Sequence, residues 1–262
     1  MKPVELAFQA VRLQRGTFAF AADAIRLRPG AITVLLGPNG GGKTTALRLA
    51  AGLLAPDVGH VLVDGSPIAS LRPAARAHRV AYVPQRPDVG LPFLAREVVE
   101  LGRHALQRSP DRIQQAMEAV GMAAHGDRPF HELSAGQQQR IAVARALAQH
   151  APGGLLLLDE AFSAVDPAES AGMLAALRAV ADAGATVLLA THDLAVAAAA
   201  ADEAWMIRGG RTEGFGPADA LLAPERLGSF LGLTVALAEG SRGRAIPVPD
   251  LRAGRPTPRP ET

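Results

Sequence analysis

The chain has no cysteine, so it carries no disulfide framework and no thiolate metal site or nucleophile. It has almost no net charge. Its 27 basic and 25 acidic residues leave +2 over 262 residues, too little to steer nucleic acid. No apolar run approaches the roughly 18 residues that span a bilayer; the alanine-rich stretch 194–201 is short and bounded by Asp193 and Asp202. The opening MKPVELAFQAV lacks an apolar h-region, which predicts no secretory signal. Lysine is nearly absent, standing only at Lys2 and Lys43. The histidines (His60, His78, His104, His125, His131, His150 and His192) show no H-x-x-x-H pairing, which argues against a dedicated metal site. No G-x-S-x-G nucleophile elbow occurs, since Ser134 is preceded two residues earlier by Glu132. What is present is apolar: 48% hydrophobic against 20% charged residues excludes disorder for the bulk of the chain and allows one large domain or two small ones.

Alternation of apolar and polar residues predicts half-buried strands over 4–13 and 24–27. A continuously apolar run, 31–36, reads as a buried parallel strand, and helical character follows over 43–54. Further strands are expected at 61–63, 80–83, 155–158, 186–190 and 205–207. Between 86 and 149 the periodicity is helical, over 96–106, 111–120 and 134–149, with another helix at 168–183. The last twenty or so residues are rich in Pro and Arg without periodicity, and the final ten or so are expected to be disordered. The result is an α/β core with a helical insertion.

Gly37-Pro38-Asn39-Gly40-Gly41-Gly42-Lys43-Thr44 fits G-x-x-x-x-G-K-[ST] and lies between a buried strand and a helix, where a phosphate cradle must lie. Glycines let several N–H groups point inward, and the helix adds its N-terminal partial charge. Lys43 reaches the β- and γ-phosphates in this reading, and the Thr44 hydroxyl reaches Mg²⁺. A chain that otherwise uses arginine keeps lysine here, where a compact point charge suits phosphate. The apolar run 155–158 ends in Asp159 and Glu160, at the strand edge where α/β sheets bind ligands. Asp159 is expected to hold Mg²⁺ and Glu160 to orient or deprotonate the attacking water.

Three further stretches separate the classes of P-loop protein. Leu133-Ser134-Ala135-Gly136-Gln137 opens a helix before the acidic strand, Gln85 ends the strand 80–84, and His192 follows the strand 186–190. In order with Ser163-Ala164-Val165-Asp166, these resemble the ATP-binding cassette (ABC) ATPase family, with 134–137 in its signature, Gln85 in its Q-loop, Asp166 in its D-loop and His192 as its switch. The resemblance implies a P-loop NTPase fold, RecA-like with an N-terminal antiparallel β region, plus a helical subdomain. It implies one ATPase domain over 1–238, with core 1–85 and 150–238 and helical subdomain 86–149, then an extension over 239–262. It also implies that residues 37–45, Thr45 included, bind ATP, and that Ser134, Ala135, Gly136 and Gln137 cover the nucleotide of a partner copy. His192 then contacts the γ-phosphate, Gln85 bridges Mg²⁺ and the transport partner, and Asp166 joins the two sites of a homodimer. The sequence departs from the pattern at Ala135 for glycine, Ala161 for proline and Gly41 for serine. The expected adenine-stacking aromatic is missing at Leu13, Gln14 and Arg15, which leaves Phe18 as the nearest candidate.

A single cassette without a membrane segment resembles the separate ATPase of a bacterial importer. Arg96 to Arg103 (REVVELGR) resembles the importers of iron-siderophore, haem and cobalamin. Zinc or manganese importer ATPases, and a soluble ABC scaffold of iron–sulfur cluster assembly, stand as alternatives. The resemblance implies permease subunits docking near the Q-loop, at Val89, Leu91, Phe93 and Leu94, and indirectly a solute-binding protein. It places the chain peripherally on the cytoplasmic face of the inner membrane, with no nucleic acid as partner.

Overall fold

The computed structural model describes residues 3–150, 153–239 and 245–250. The continuously apolar segments behave as their burial demands. β3 (Ile32–Leu36), β7 (Leu155–Asp159) and β8 (Thr186–Ala190) are buried at every residue, which a parallel strand between two helical layers requires. They lie with β6 (Val80–Val83) and β9 (Glu203–Arg208) in a parallel block ordered β9-β3-β8-β7-β6. β10 (Arg211–Pro217) returns antiparallel along β9. An antiparallel wing follows, made of β2 (Phe18–Leu27), β1 (Leu6–Arg15), β4 (Val58–Val63) and the two-residue β5 (Ser66–Pro67). Wing and block form one ten-stranded sheet. Their cores meet at Trp205, which is wholly buried, crosses Phe8 and Phe215 edge-on at 5.1 and 6.5 Å, and donates its indole N–H to Thr212 Oγ1.

Helices cover the block: α1 (Lys43–Ala50), α6 (Pro167–Asp182) and α7 (Leu194–Ala200), with the shorter α2 (Pro73–Arg79), α8 (Ala218–Leu221) and α9 (Pro224–Leu231). In the insertion α3 (Ala95–Leu101) and α4 (Pro110–Ala119) both pack on α5 (Ala135–Gln149), which also lies against β6. Met117, Met122, Ile141 and Val143 are buried between them. Beyond the block, β11 (Val235–Glu239) pairs with β12 (Ala245–Pro249), and β12 lies against α7. The residue-238 boundary expected from the sequence falls within β11, while 240–244 and 251–262, including the end expected to be disordered, lie outside the described residues.

Two helices stop earlier than their periodicity predicts. α1 ends at Ala50 instead of 54 because Gly52 turns left-handed at φ 66° and the N–H groups of Leu53 and Leu54 fold back on Arg48 O. α3 ends at Leu101 instead of 106, where the chain tightens into successive i→i−3 turns through Leu106. Gly102 permits this, since a Cβ there would lie 2.3 Å from Arg145 O.

Candidate active site

The four parallel strands β3, β8, β7 and β6 stand side by side, and each delivers part of the site at its carboxyl end. The loop 37–42 leaves β3, His192 follows β8, Asp159 and Glu160 end β7, and Gln85 follows β6. A cavity of about 470 Å³ is lined by Phe18, residues 38–45, Gln85, Glu160 and His192. A larger hollow of about 840 Å³ on the wing, bordered by Arg12, Asp23, Asp57 and Arg211, contains none of the motif residues.

The loop is a backbone cradle by necessity. A Cβ on Gly37 would sit 2.1 Å from Ile207 O and one on Gly41 2.9 Å from Pro38 O, while Gly42 adopts φ 111° as the cap of α1. Gly210 donates its N–H to Gly41 O and clasps the loop from the β9–β10 turn. Lys43 is the loop's buried cation, with its ammonium 2.8 Å from Gly37 O, 3.3 Å from Pro38 O and 3.5 Å from Glu160 Oε1.

Glu160 is the hub. Its Oε2 accepts from Gln85 Nε2 at 3.0 Å and lies 3.5 Å from His192 Nδ1. Its own N–H bonds to Ala190 O, and its backbone is left-handed at φ 50°. Such a conformation costs a non-glycine residue about 1–3 kcal/mol and concentrates at functional positions. Behind it, Asp159 is nearly fully buried, and burial raises its pKa against the lowering influence of the Thr44 and Tyr82 hydroxyls. Asp159 Oδ2 accepts from Tyr82 at 3.3 Å, whereas Oδ1 is buried without a hydrogen-bond partner among the described residues. A buried, unpartnered carboxylate oxygen beside a threonine hydroxyl is the donor chemistry a hard cation takes, so these residues fit Mg²⁺. Tyr82 was not singled out from the sequence; its signal was its place as the chain's one tyrosine, on the strand next to the acidic one.

The remaining motif residues stand elsewhere. Ser134 caps α5: its Oγ accepts the Gln137 N–H at 3.3 Å, and Gln137 Oε1 accepts the Ser134 N–H at 3.0 Å. Ala135 takes the first helical position with an ordinary negative φ, so the backbone there makes no demand for glycine. Gly136 lies against the segment 163–166, where an added Cβ would sit 2.3 Å from Ala164 O. Asp166 caps α6 without a side-chain bond and is exposed, as is Ser134. None of these lines the cavity of the same chain. Phe18 does line it, at the start of β2. Among the docking candidates, Leu91 is 62% exposed, while Val89 and Phe93 pack partly into the core.

Among the described residues no helix is long and apolar enough to cross a membrane, and no group of three or more His, Asp or Glu side chains could hold a metal ion. The family model for ABC transporters matches residues 22–163, over half the chain. The chain is 39% identical over 238 residues to the hemin import ATP-binding protein HmuV of Pseudomonas entomophila, covering 88% of this chain and 93% of that protein. It is 36% identical to the cobalamin import ATP-binding protein BtuD of Halobacterium salinarum, over 86% of this chain and 58% of that one. Its fold matches a structure described as an inward-facing ABC transporter of metal-chelate type, with a TM-score of 0.78, 24% identity, and 95% and 99% of the two chains covered. The chain belongs to the ABC transporter family and is one of its ATPases.

Proposed function

We propose that this ATPase powers an importer for haem or a related metal chelate or cobalamin, through a separate membrane permease. The observation that carries this is the similarity to a hemin import ATP-binding protein along 93% of that protein's length. These relatives favour that group over the zinc or manganese importers and the soluble scaffold that the sequence left open.

The mechanism follows from what each residue has to give. The N–H groups of 38–42 and the amino end of α1 receive the phosphates. Lys43 exchanges the Gly37 and Pro38 carbonyls and Glu160 for phosphate oxygens. That exchange releases one arm of the Glu160 carboxylate to orient water, with His192 and Gln85 on its other oxygen. Thr44, Asp159 and Gln85 would hold Mg²⁺, which supplies charge neutralisation on the phosphates. Catalysis is positioning and electrostatic stabilisation, without a covalent intermediate.

Ser134, Ala135, Gly136, Gln137 and Asp166 lie outside this cavity, which supports a head-to-tail homodimer in which each chain completes its partner's site. Permease subunits dock beside the Q-loop, a solute-binding protein delivers cargo on the far side, and the ATPase sits on the cytoplasmic face of the bacterial inner membrane. The test is deletion of the encoding gene followed by growth with hemin as sole iron source. Lost growth that returns with the wild-type chain but not with Glu160→Gln supports the proposal; unchanged growth and hemin uptake overturn the cargo.

A further inference from the structure

The signature serine is held in place by a chain of hydrogen bonds that does not end at the helix cap. Gln137 Oε1 is committed to the Ser134 N–H at 3.0 Å, which fixes the amide orientation and turns Nε2 toward His125 Nε2, 3.4 Å away. An amide nitrogen can only donate, so the imidazole Nε2 takes the acceptor role in this contact, which assigns the ring N–H to Nδ1. Nδ1 is buried without a partner among the described residues. Burying an unpaired donor is costly, and a side chain kept there for packing alone would have no reason to carry it.

The ring's mount is rigid. His125 ends a short 3-10 turn (Ala123–His125) tied to α4 by Met122 N–H to Met117 O and His125 N–H to Met122 O, and both methionines are buried. The following segment is tied to the start of α3 by Arg96 N–H to Gly126 O and Ala95 N–H to Arg128 O. We propose that His125 is a positioning residue for the signature: by accepting from Gln137 it holds that amide on the Ser134 backbone and presets the serine to receive the partner copy's nucleotide. This rests on the reading of Ser134 as a contact made in trans.

The test is steady-state ATPase activity of the full chain carrying His125→Leu, His125→Gln or, as reference, Ser134→Ala, with ATP affinity measured on each. His125→Leu is expected to lose about fivefold to tenfold in kcat, the worth of one hydrogen bond, with ATP affinity unchanged because the P-loop half is untouched. His125→Gln is expected to recover most of that loss, since its amide oxygen can stand where Nε2 stood, and Ser134→Ala to fall at least as far as His125→Leu. Wild-type kcat in His125→Leu beside an impaired Ser134→Ala overturns this inference and leaves the trans reading standing; an unimpaired Ser134→Ala overturns both. If circular dichroism shows His125→Leu unfolded, His125→Gln decides alone: near wild-type kcat supports the proposal, and a fall to the Ser134→Ala level overturns it.

Discussion

The P-loop half and the signature half of this molecule are built on opposite plans. The first is assembled in the middle of the sheet, where Lys43, Gln85 and His192 all lie within 3.5 Å of one buried carboxylate, Glu160. The second is an exposed helix start whose polar groups bond locally, Ser134 with Gln137 and Gln137 with His125. A buried charge cluster needs partners within its own chain, because an uncompensated buried charge costs several kcal/mol. An exposed helix cap needs only a local partner and can meet a ligand that arrives later. In the proposed cycle, the half that must be right before nucleotide binds is fixed by tertiary packing, and the half that acts afterwards is fixed by three or four neighbouring residues.

Substitutions can break that contrast, beginning where the effect is largest. Glu160→Gln should lower ATP turnover by about two to three orders of magnitude while leaving ATP binding measurable; turnover close to wild type in a phosphate-release assay would remove Glu160 from its role. Gly136→Ala drives a methyl into Ala164 O, and overpacking of this kind costs about 1–3 kcal/mol. We expect a lower melting temperature and about tenfold slower turnover, with nucleotide affinity retained, which sharpens the separation of the halves. Acid acts on the far end of the signature helix. There burial, helped by Arg112, pushes the His150 imidazole down to about 4 from an ordinary 6.5. The unfolded chain therefore takes up this proton first: the contribution is intact above about pH 7 and falls by about 2 kcal/mol by pH 5. Denaturant titrations of wild type and His150→Gln at both pH values should show the larger acid loss in wild type. The smallest effect is expected from Tyr82→Phe, which removes a 3.3 Å hydrogen bond to Asp159. It should weaken Mg²⁺ binding to the nucleotide-loaded chain by about tenfold or less, read by Mg²⁺ titration of nucleotide fluorescence.

The parts of the site written contiguously are legible in the sequence itself. The run 37–44 and the pair Asp159-Glu160 each sit at a strand end that the apolar pattern announces, and β3, β7 and β8 lie where those runs predict. Gln85 and His192 were legible only through their order in a family pattern, and their meeting on Glu160 is a fact of sheet order that spacing does not contain. Tyr82 and His125 carry no motif; each matters because of what lies across from it. β10 escaped notice because Gly214 and Gly216 interrupt its alternation and a register shift lies between Thr212 and Gly214. α7 escaped because seven residues dominated by alanine show no face. Of the hairpin β11–β12, the second strand lies in the proline- and arginine-rich stretch that composition alone reads as tail.

The amide of Gln139 reaches out of α5 to Pro84 O at 3.4 Å, immediately before Gln85. Gln139 stands five residues from Ser134 on the same uninterrupted rod, about 7–8 Å along its axis. If Gln85 is drawn toward a ligand, Pro84 must either let go of that amide or take the whole helix with it. The first turns of α5 thus carry, as a single piece, both the amide that grips the segment before Gln85 and the serine proposed to meet the neighbouring copy's nucleotide.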